Sequence, residues 1–271
     1  MLRIAKEIYR FLRHILQSRE LLATLIKNDF KKQYLGSYLG LAWAFIQPLI
    51  FILVIWAVFT FGLRAGPVGS ETPFFLYLIS GMIPWFFISN TLNSGTGAVV
   101  NNAFLVKKVS FRVSILPLVE IGSALLIHLV LAVFLLLAFV LHGFSPSLYW
   151  LQLPYYMGCA VAMLLGLSWL TSAVRVFVKD IGNLISVLIQ VGFWATPIFW
   201  QIGLVPEKYQ WIIKLNPAYY IINGYRDSLI NQQWFWQDMS LTLNFLGLCL
   251  FSLGFGALVF KRLRPHFGDV L

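Results

Sequence analysis

A succession of long apolar stretches, separated by short polar segments, constrains this chain more than any other feature. A helix rises about 1.5 Å per residue, so about 20 apolar residues cross the ~30 Å hydrocarbon core of a bilayer. The sequence therefore predicts an all-α integral membrane protein with six transmembrane helices. The predicted spans cover residues 41–61, 74–99, 115–141, 149–174, 184–203 and 241–260.

The composition excludes a soluble domain. Hydrophobic residues make up 59% of the 271 positions and charged residues only 11%, whereas soluble domains carry about 25% charge. The net charge of +10 comes from basic residues that lie between the apolar stretches. This placement favours contact with anionic lipid and argues against a nucleic-acid partner. Cys159 and Cys249 lie inside apolar segments, and their spacing predicts neither a disulfide nor a metal site.

The distribution of basic residues predicts the orientation. With the N-terminus inside, 16 Lys and Arg residues fall on the cytoplasmic side of the predicted spans and 4 on the outer side. Cytoplasmic loops of membrane proteins carry the excess of positive charge. We therefore expect a multi-pass membrane protein with both termini in the cytoplasm.

Two segments are predicted to lie at the membrane interface. Residues 1–38 contain apolar positions at three- and four-residue spacing over 3–32, with basic residues between them, which is typical of an amphipathic interface helix. This helix is either a surface anchor or a docking face for a partner. Residues 205–232 are too polar to span, but their Tyr and Ile residues suit a pair of short re-entrant helices. In the second span, residues 81–84 (GMIP) predict an interruption.

The sequence contains no catalytic constellation. Its four His residues are scattered, and no Gly-Lys pair occurs, so the chain has no phosphate-cradling P-loop. We expect a transporter subunit rather than an enzyme, without catalytic residues, a metal or a cofactor of its own. If ATP drives this protein, a separate chain must bind it.

Two polar residues, Glu120 and His128, fall inside the third predicted span. They are eight residues apart, about two helical turns, and therefore share a helix face. An ionisable residue within a membrane is a functional candidate, but a neutral Glu that is hydrogen-bonded to a neighbouring helix is the preferred explanation of Glu120. An ion-coupled transporter would require Glu120.

Aromatic residues are in excess, at 17% of the chain. Many fit the aromatic belts found at membrane interfaces. A second set lies beside the Pro residues of the second and fifth predicted spans. Aromatic faces bind sugar rings without requiring a particular hydroxyl pattern, so this set is a candidate channel lining. It comprises Tyr77, Trp85, Phe86, Phe87, Phe193, Trp194, Phe199 and Trp200.

Several motifs resemble those of the transmembrane permeases of type-2 ABC exporters for cell-surface polysaccharides, which include O-antigen and teichoic-acid exporters. The most extended is DFKKQYLGSYLGLAW at 29–43, at the start of the first span. The resemblance covers nearly the whole chain. The further motifs are YLISGMIPWFF (77–87), LVKKV (105–109) with LPL (116–118), VFVKDI (176–181), FWATPI (193–198), and NP (216–217) with YR (225–226).

The resemblance implies a homodimer in the bacterial inner membrane with two copies of a separate ATP-binding subunit, which holds ATP and Mg. It also implies a lipid-linked glycan as substrate, O-antigen being the first choice. The segment 39–271 is then one transmembrane domain with a coupling segment at 101–112 and an outer gate at 205–232. The expected ATPase-coupling residues are Arg10, Arg13, Lys31, Lys32, Lys107, Lys108 and Arg112, and the expected gate residues are Asn216, Pro217, Tyr219, Tyr220, Tyr225 and Arg226.

Other functions remain open at this point. A teichoic-acid or capsule exporter fits the same residues. A drug or lipid exporter of the same superfamily usually carries a larger outer domain, and no predicted outer loop exceeds about 35 residues. A membrane glycosyltransferase would need clustered carboxylates, whereas the Asp and Glu residues here are scattered.

Overall fold

The computed structural model describes residues 19–34, 40–64, 72–107 and 112–271. Every regular element in these ranges is helical, which confirms the predicted all-α class. The helices are α1 Arg19–Tyr34, α2 Trp43–Ala57, α3 Phe74–Gly97, α4 Ala103–Val106, α5 Leu116–Leu141, α6 Leu153–Phe177, α7 Ile181–Ala195, α8 Glu207–Lys214, α9 Pro217–Arg226, α10 Met239–Leu263 and α11 Phe267–Val270.

Within the described ranges, five helical stretches are long and apolar enough to cross a membrane. The predicted fifth span, 184–203, corresponds to α7, which has only 15 residues. The peptide chain leaves the helix at Thr196, because Pro197 restricts the residue before it to extended backbone. The five stretches are Gly40–Gly62, Phe74–Gly97, Val113–Leu141, Leu148–Phe177 and Met239–Val270.

The short connections make successive long helices antiparallel, so the helix ends gather at two faces. We call the face that carries α4, the start of α5 and the ends of α6 and α10 the basic face. The opposite face, with α8 and the loop 142–147, is called the distal face.

Helix α3 forms the centre of the bundle. In its most apolar stretch 78% of the residues are buried, against 11% for the stretch at 40–62. It packs against α2, α5, α6, α7 and α9. The predicted interruption at 81–84 is wrong: the helix continues through Pro84. The neighbouring helices shield this turn from lipid, and Ser80 Oγ donates to the Tyr77 carbonyl at 2.8 Å.

Helices α6 and α10 cross with their backbones in contact. A Cβ atom at Gly256 would lie 2.1 Å from the Gly166 carbonyl oxygen, and one at Gly166 would lie 2.5 Å from the Leu253 nitrogen. Small residues at a crossing allow helices in lipid to gain dispersion energy over a long contact. This crossing fixes α10 on the bundle.

Helix α1 packs along α5. Ser123 Oγ donates to the Ile26 carbonyl at 3.3 Å, and Lys31 and Lys32 at the end of α1 are exposed. The predicted interface helix is therefore described over its second half only. Its first half, including Arg10 and Arg13, lies outside the described residues.

Candidate functional site

A cavity of about 1130 Å³ opens between α2, α3, α5 and α7, and Gln33 of α1 also lines it. Aromatic side chains form much of its wall. The structure brings five of the eight predicted channel residues to this cavity, and Trp43 and Phe51 of α2 join them. The five are Trp85, Phe86, Phe87, Phe193 and Trp194.

Glu120 and His128 line the same cavity. Both are buried, at 5% and 2% exposure. Asp29 and Lys32 of α1 lie close enough to Glu120 to act on its carboxyl group electrostatically. His128 stacks on Phe87, with ring centroids 4.8 Å apart. The two intramembrane polar residues thus belong to the site that the aromatic residues form.

Sequence reasoning missed part of the polar lining. Ser186 Oγ, for example, donates to Asn93 Oδ1 at 3.1 Å and ties α7 to α3 beside the cavity. Polar residues inside apolar spans were the signal, since each must face protein or water rather than lipid. Five amide side chains line the cavity: Gln33, Gln47, Asn90, Asn93 and Gln190.

A second group of residues, the arginine cluster, surrounds Arg226 of α9. The Arg226 guanidinium donates from Nη1 to the Pro197 carbonyl at 2.5 Å and from Nη2 to the Ile198 carbonyl at 2.6 Å. Its Cζ lies 3.7 Å from the centroid of the Tyr77 ring. Arg226 is only 4% exposed. Through this side chain, α9 binds the backbone carbonyls that follow the end of α7.

Gly81 makes room for this arrangement. A Cβ atom at Gly81 would lie 2.7 Å from Arg226 Nη2 and 3.0 Å from the Ile198 carbonyl oxygen. The glycine of the GMIP motif therefore serves the close approach of α3 to the guanidinium. It does not mark a helix break.

The remaining three predicted channel residues, Tyr77, Phe199 and Trp200, lie outside the cavity lining. They lie in the arginine cluster or at its border. Tyr77 donates its hydroxyl to the Trp200 carbonyl at 2.8 Å. Phe199 is buried and lies 5.5 Å from Phe193 between ring centroids, so it connects the cluster to the cavity wall.

The predicted gate segment forms two short helices, α8 and α9. Asn216 caps α9, since its Oδ1 accepts from the Ala218 nitrogen at 3.0 Å. Its Nδ2 donates to Thr196 Oγ1 at 2.8 Å. Pro217 occupies the first helical position, where its missing N–H has no cost.

The buried face of α9 reaches two further helices. Tyr225 hydroxyl and His128 Nε2 lie 2.7 Å apart. Tyr220 hydroxyl lies 3.2 Å from Thr242 Oγ1 of α10. Tyr219 is also buried, at 5% exposure. The predicted gate residues are thus largely internal, and Arg226 lies within the protein rather than in an outer loop.

Asp227, which follows Arg226, has a shifted pKa. Burial raises the pKa of its carboxyl group to about 6, although hydrogen bonds from Asn231 and Asn223 and the charge of Arg226 oppose this shift. The donors are Asn223 Nδ2 at 2.7 Å and Asn231 Nδ2 at 2.8 Å. The pKa of Asp227 therefore lies well above that of an ordinary aspartate.

Four of the seven predicted coupling residues are described, and all four are exposed at the basic face. They are Lys31, Lys32, Lys107 and Arg112. Within the segment 101–112, residues 103–106 form the short helix α4. Lys108, like Arg10 and Arg13, lies outside the described residues. The coupling role of these residues stays a prediction.

Comparison with known proteins identifies the family of this chain. Residues 20–230 match the ABC-2 type transporter family. The chain is 28% identical over 254 residues to the O-antigen export system permease protein RfbA of Klebsiella pneumoniae, covering 93% of this chain and 95% of that protein.

Two more distant relatives have similar coverage. An O-antigen export system permease protein RfbA of Myxococcus xanthus is 25% identical over 228 residues, which cover 83% of this chain and 84% of that protein. The polysialic acid transport protein KpsM of Escherichia coli is 20% identical over 247 residues, or 89% and 92% of the two chains.

Proposed function

Since the chain belongs to the ABC-2 type transporter family, we propose that it is the membrane-spanning permease subunit of an ATP-driven polysaccharide exporter. The substrate is a lipid-linked glycan, with O-antigen as the first choice, because the two RfbA proteins are O-antigen export permeases and align with most of this chain. Capsule export is the second candidate, since KpsM also aligns along most of this chain.

The observation that carries this proposal is the aromatic cavity. Its rings, on α2, α3 and α7, face a space of about 1130 Å³, which is as large as the larger ligand pockets of proteins. Aromatic faces contact sugar rings through C–H groups and hold them without a fixed register, which suits a polymer that must slide. The cavity adjoins the arginine cluster through Phe193 and Phe199.

The proposed assembly is a homodimer in the inner membrane with two ATP-binding subunits that hold ATP and Mg. In each copy α7, together with residues 196–203, completes a sixth span, and α8 and α9 enter the membrane from outside as the gate. The segment 1–38 lies at the cytoplasmic interface. The excess of basic residues at the basic face supports a cytoplasmic position for this face and for both termini.

In the proposed mechanism, ATP binding brings the two ATPase subunits together and pushes on α4 and α1. Exposed Lys31, Lys32, Lys107 and Arg112 provide contacts for that subunit. The push displaces α3 and α7, which share the cavity wall, and the polymer advances along the aromatic lining. Lys108, Arg10 and Arg13 are assigned to the same docking surface.

A transport assay tests the proposal. The permease and its ATPase, reconstituted in proteoliposomes, are given lipid-linked O-polysaccharide, and hydrolysis and transfer to the lumen are measured. We expect both activities to depend on the polymer. Trp85→Ala is expected to lower transfer severalfold, while Trp236→Ala, at an exposed distal position, leaves it unchanged. Polymer transfer that is independent of ATP, or equal in both variants, would contradict the proposal.

A further inference from the structure

The polar part of the cavity wall has a distinctive charge pattern. Five amide side chains line it, and amides both donate and accept hydrogen bonds without carrying charge. Glu120 adds one carboxyl group and His128 one imidazole. Among the described lining residues there is neither Lys nor Arg. Lys32, the basic residue that acts on Glu120, is exposed at the end of α1.

Such a wall suits sugar hydroxyls. A hydroxyl group both donates and accepts, and amides and carboxyl groups satisfy it in either role. The aromatic residues Trp43, Phe51 and Trp85 supply apolar faces for the ring carbons in the same cavity. The wall thus complements both the hydroxyl groups and the apolar ring carbons of an uncharged sugar.

The same wall is unfavourable for a negatively charged sugar. A carboxylate or phosphate that leaves water is stabilised mainly by a cation, and neutral amide donors replace only part of its lost hydration. Glu120 supplies no positive charge in either protonation state, and it repels an anion when ionised. Sites that bind acidic groups instead present Arg or Lys.

From these contacts we infer that the cavity selects glycans whose repeating units are uncharged, and that Glu120 with the amide wall excludes polyanionic polymers. This inference rests on the proposed polysaccharide-export function and specifies its substrate class. It concerns the repeating units, which pass the wall one after another.

The test uses the reconstituted permease–ATPase complex with two lipid-linked polymers of equal length and equal lipid. One consists of neutral hexoses, and the other contains one uronic acid per repeat. We expect the neutral polymer to be transferred at least about tenfold faster, because each acidic repeat must lose water without a counterion. Equal rates would overturn the inference and leave the proposed function intact. Transfer of neither polymer would overturn the proposed function itself.

A variant locates the selection in the cavity rather than in the ATPase. Gln47 lines the cavity and is exposed, so Gln47→Lys adds a cation without disturbing the core. We expect it to raise the rate of the uronate polymer relative to the neutral one about tenfold, since the added cation replaces lost hydration. Gln201→Lys, an exposed position at the distal face, is the matched control. An unchanged ratio in Gln47→Lys, or the same change in both variants, would refute selection at this wall.

Discussion

The Tyr225 hydroxyl lies 2.7 Å from Nε2 of His128, so the short helix α9 is joined directly to α5. His128 also lines the aromatic cavity, where its ring stacks on Phe87. One imidazole therefore contacts both the proposed gate and the proposed channel.

Removing the Tyr225 hydroxyl should weaken the bundle. Tyr225→Phe keeps the ring but leaves a buried nitrogen of His128 unpaired, which costs about 1–2 kcal/mol. We expect a lower midpoint of thermal unfolding for the purified permease. Tyr209→Phe, at a position that is 47% exposed, is the control and should unfold like the wild type. Identical midpoints for both variants would contradict this hydrogen bond.

Arg226 should not tolerate lysine. The guanidinium reaches the carbonyls of Pro197 and Ile198 with two different nitrogens, and a single ammonium group cannot match this fork. Arg226→Lys is expected to lose about 2 kcal/mol of stability and most of the transport activity. Arg262→Lys, at an exposed position on α10, keeps both. Normal transport by Arg226→Lys would show that the fork is dispensable.

The crossing of α6 and α10 offers a matched pair of glycines on one helix. Gly256→Ala places a methyl group against the Gly166 carbonyl, whereas nothing lies within 4 Å of a Cβ at Gly254. We expect Gly256→Ala to destabilise the protein by roughly 1–3 kcal/mol. Gly254→Ala should be neutral or slightly stabilising because alanine favours helix. Denaturation in mild detergent measures both, and a reversed order would refute the backbone contact.

Asp227 should give stability a dependence on pH. Its pKa is about 6 in the folded protein, well above that of an ordinary aspartate, so the folded state binds the proton more tightly than the unfolded state. The stabilisation by this proton is fully present below pH 4 and disappears as the pH rises through 6. Asp227→Asn should remove this dependence.

Unfolding midpoints at pH 5 and pH 7 measure this effect. The difference between the two midpoints should shrink in Asp227→Asn, and it should persist in Asp269→Asn, an exposed position near the C-terminus. An unchanged difference in Asp227→Asn would assign the pH dependence to another group.

Periodicity and hydropathy were sufficient for the long helices. The predicted bounds 115–141 and 149–174 lie within a few residues of the observed stretches Val113–Leu141 and Leu148–Phe177, because apolar length alone determines which segments can cross lipid. The motif FWATPI also marks where α7 ends, since a proline restricts the residue before it.

The internal contacts could not be predicted in the same way. Arg226 stands in a polar segment and counts as an outer charge by its position in the sequence. Its burial depends on carbonyls about 29 residues away in the chain and on the absence of a side chain at Gly81. Likewise, Gln47 and Gln190 reach one cavity only because α2 and α7 converge there. Such pairings arise from tertiary packing and leave no local pattern.

Helix α9 forms hydrogen bonds with three separate partners: His128 on α5, the backbone at Pro197 and Ile198 after α7, and Thr242 on α10. A slight shift that relieves one of these attachments strains the other two, so intermediate positions are unfavourable. The distal end should therefore move as one packed unit instead of flexing gradually. An ATPase acting at the basic face would then have to complete its movement before any part of the distal end changes position.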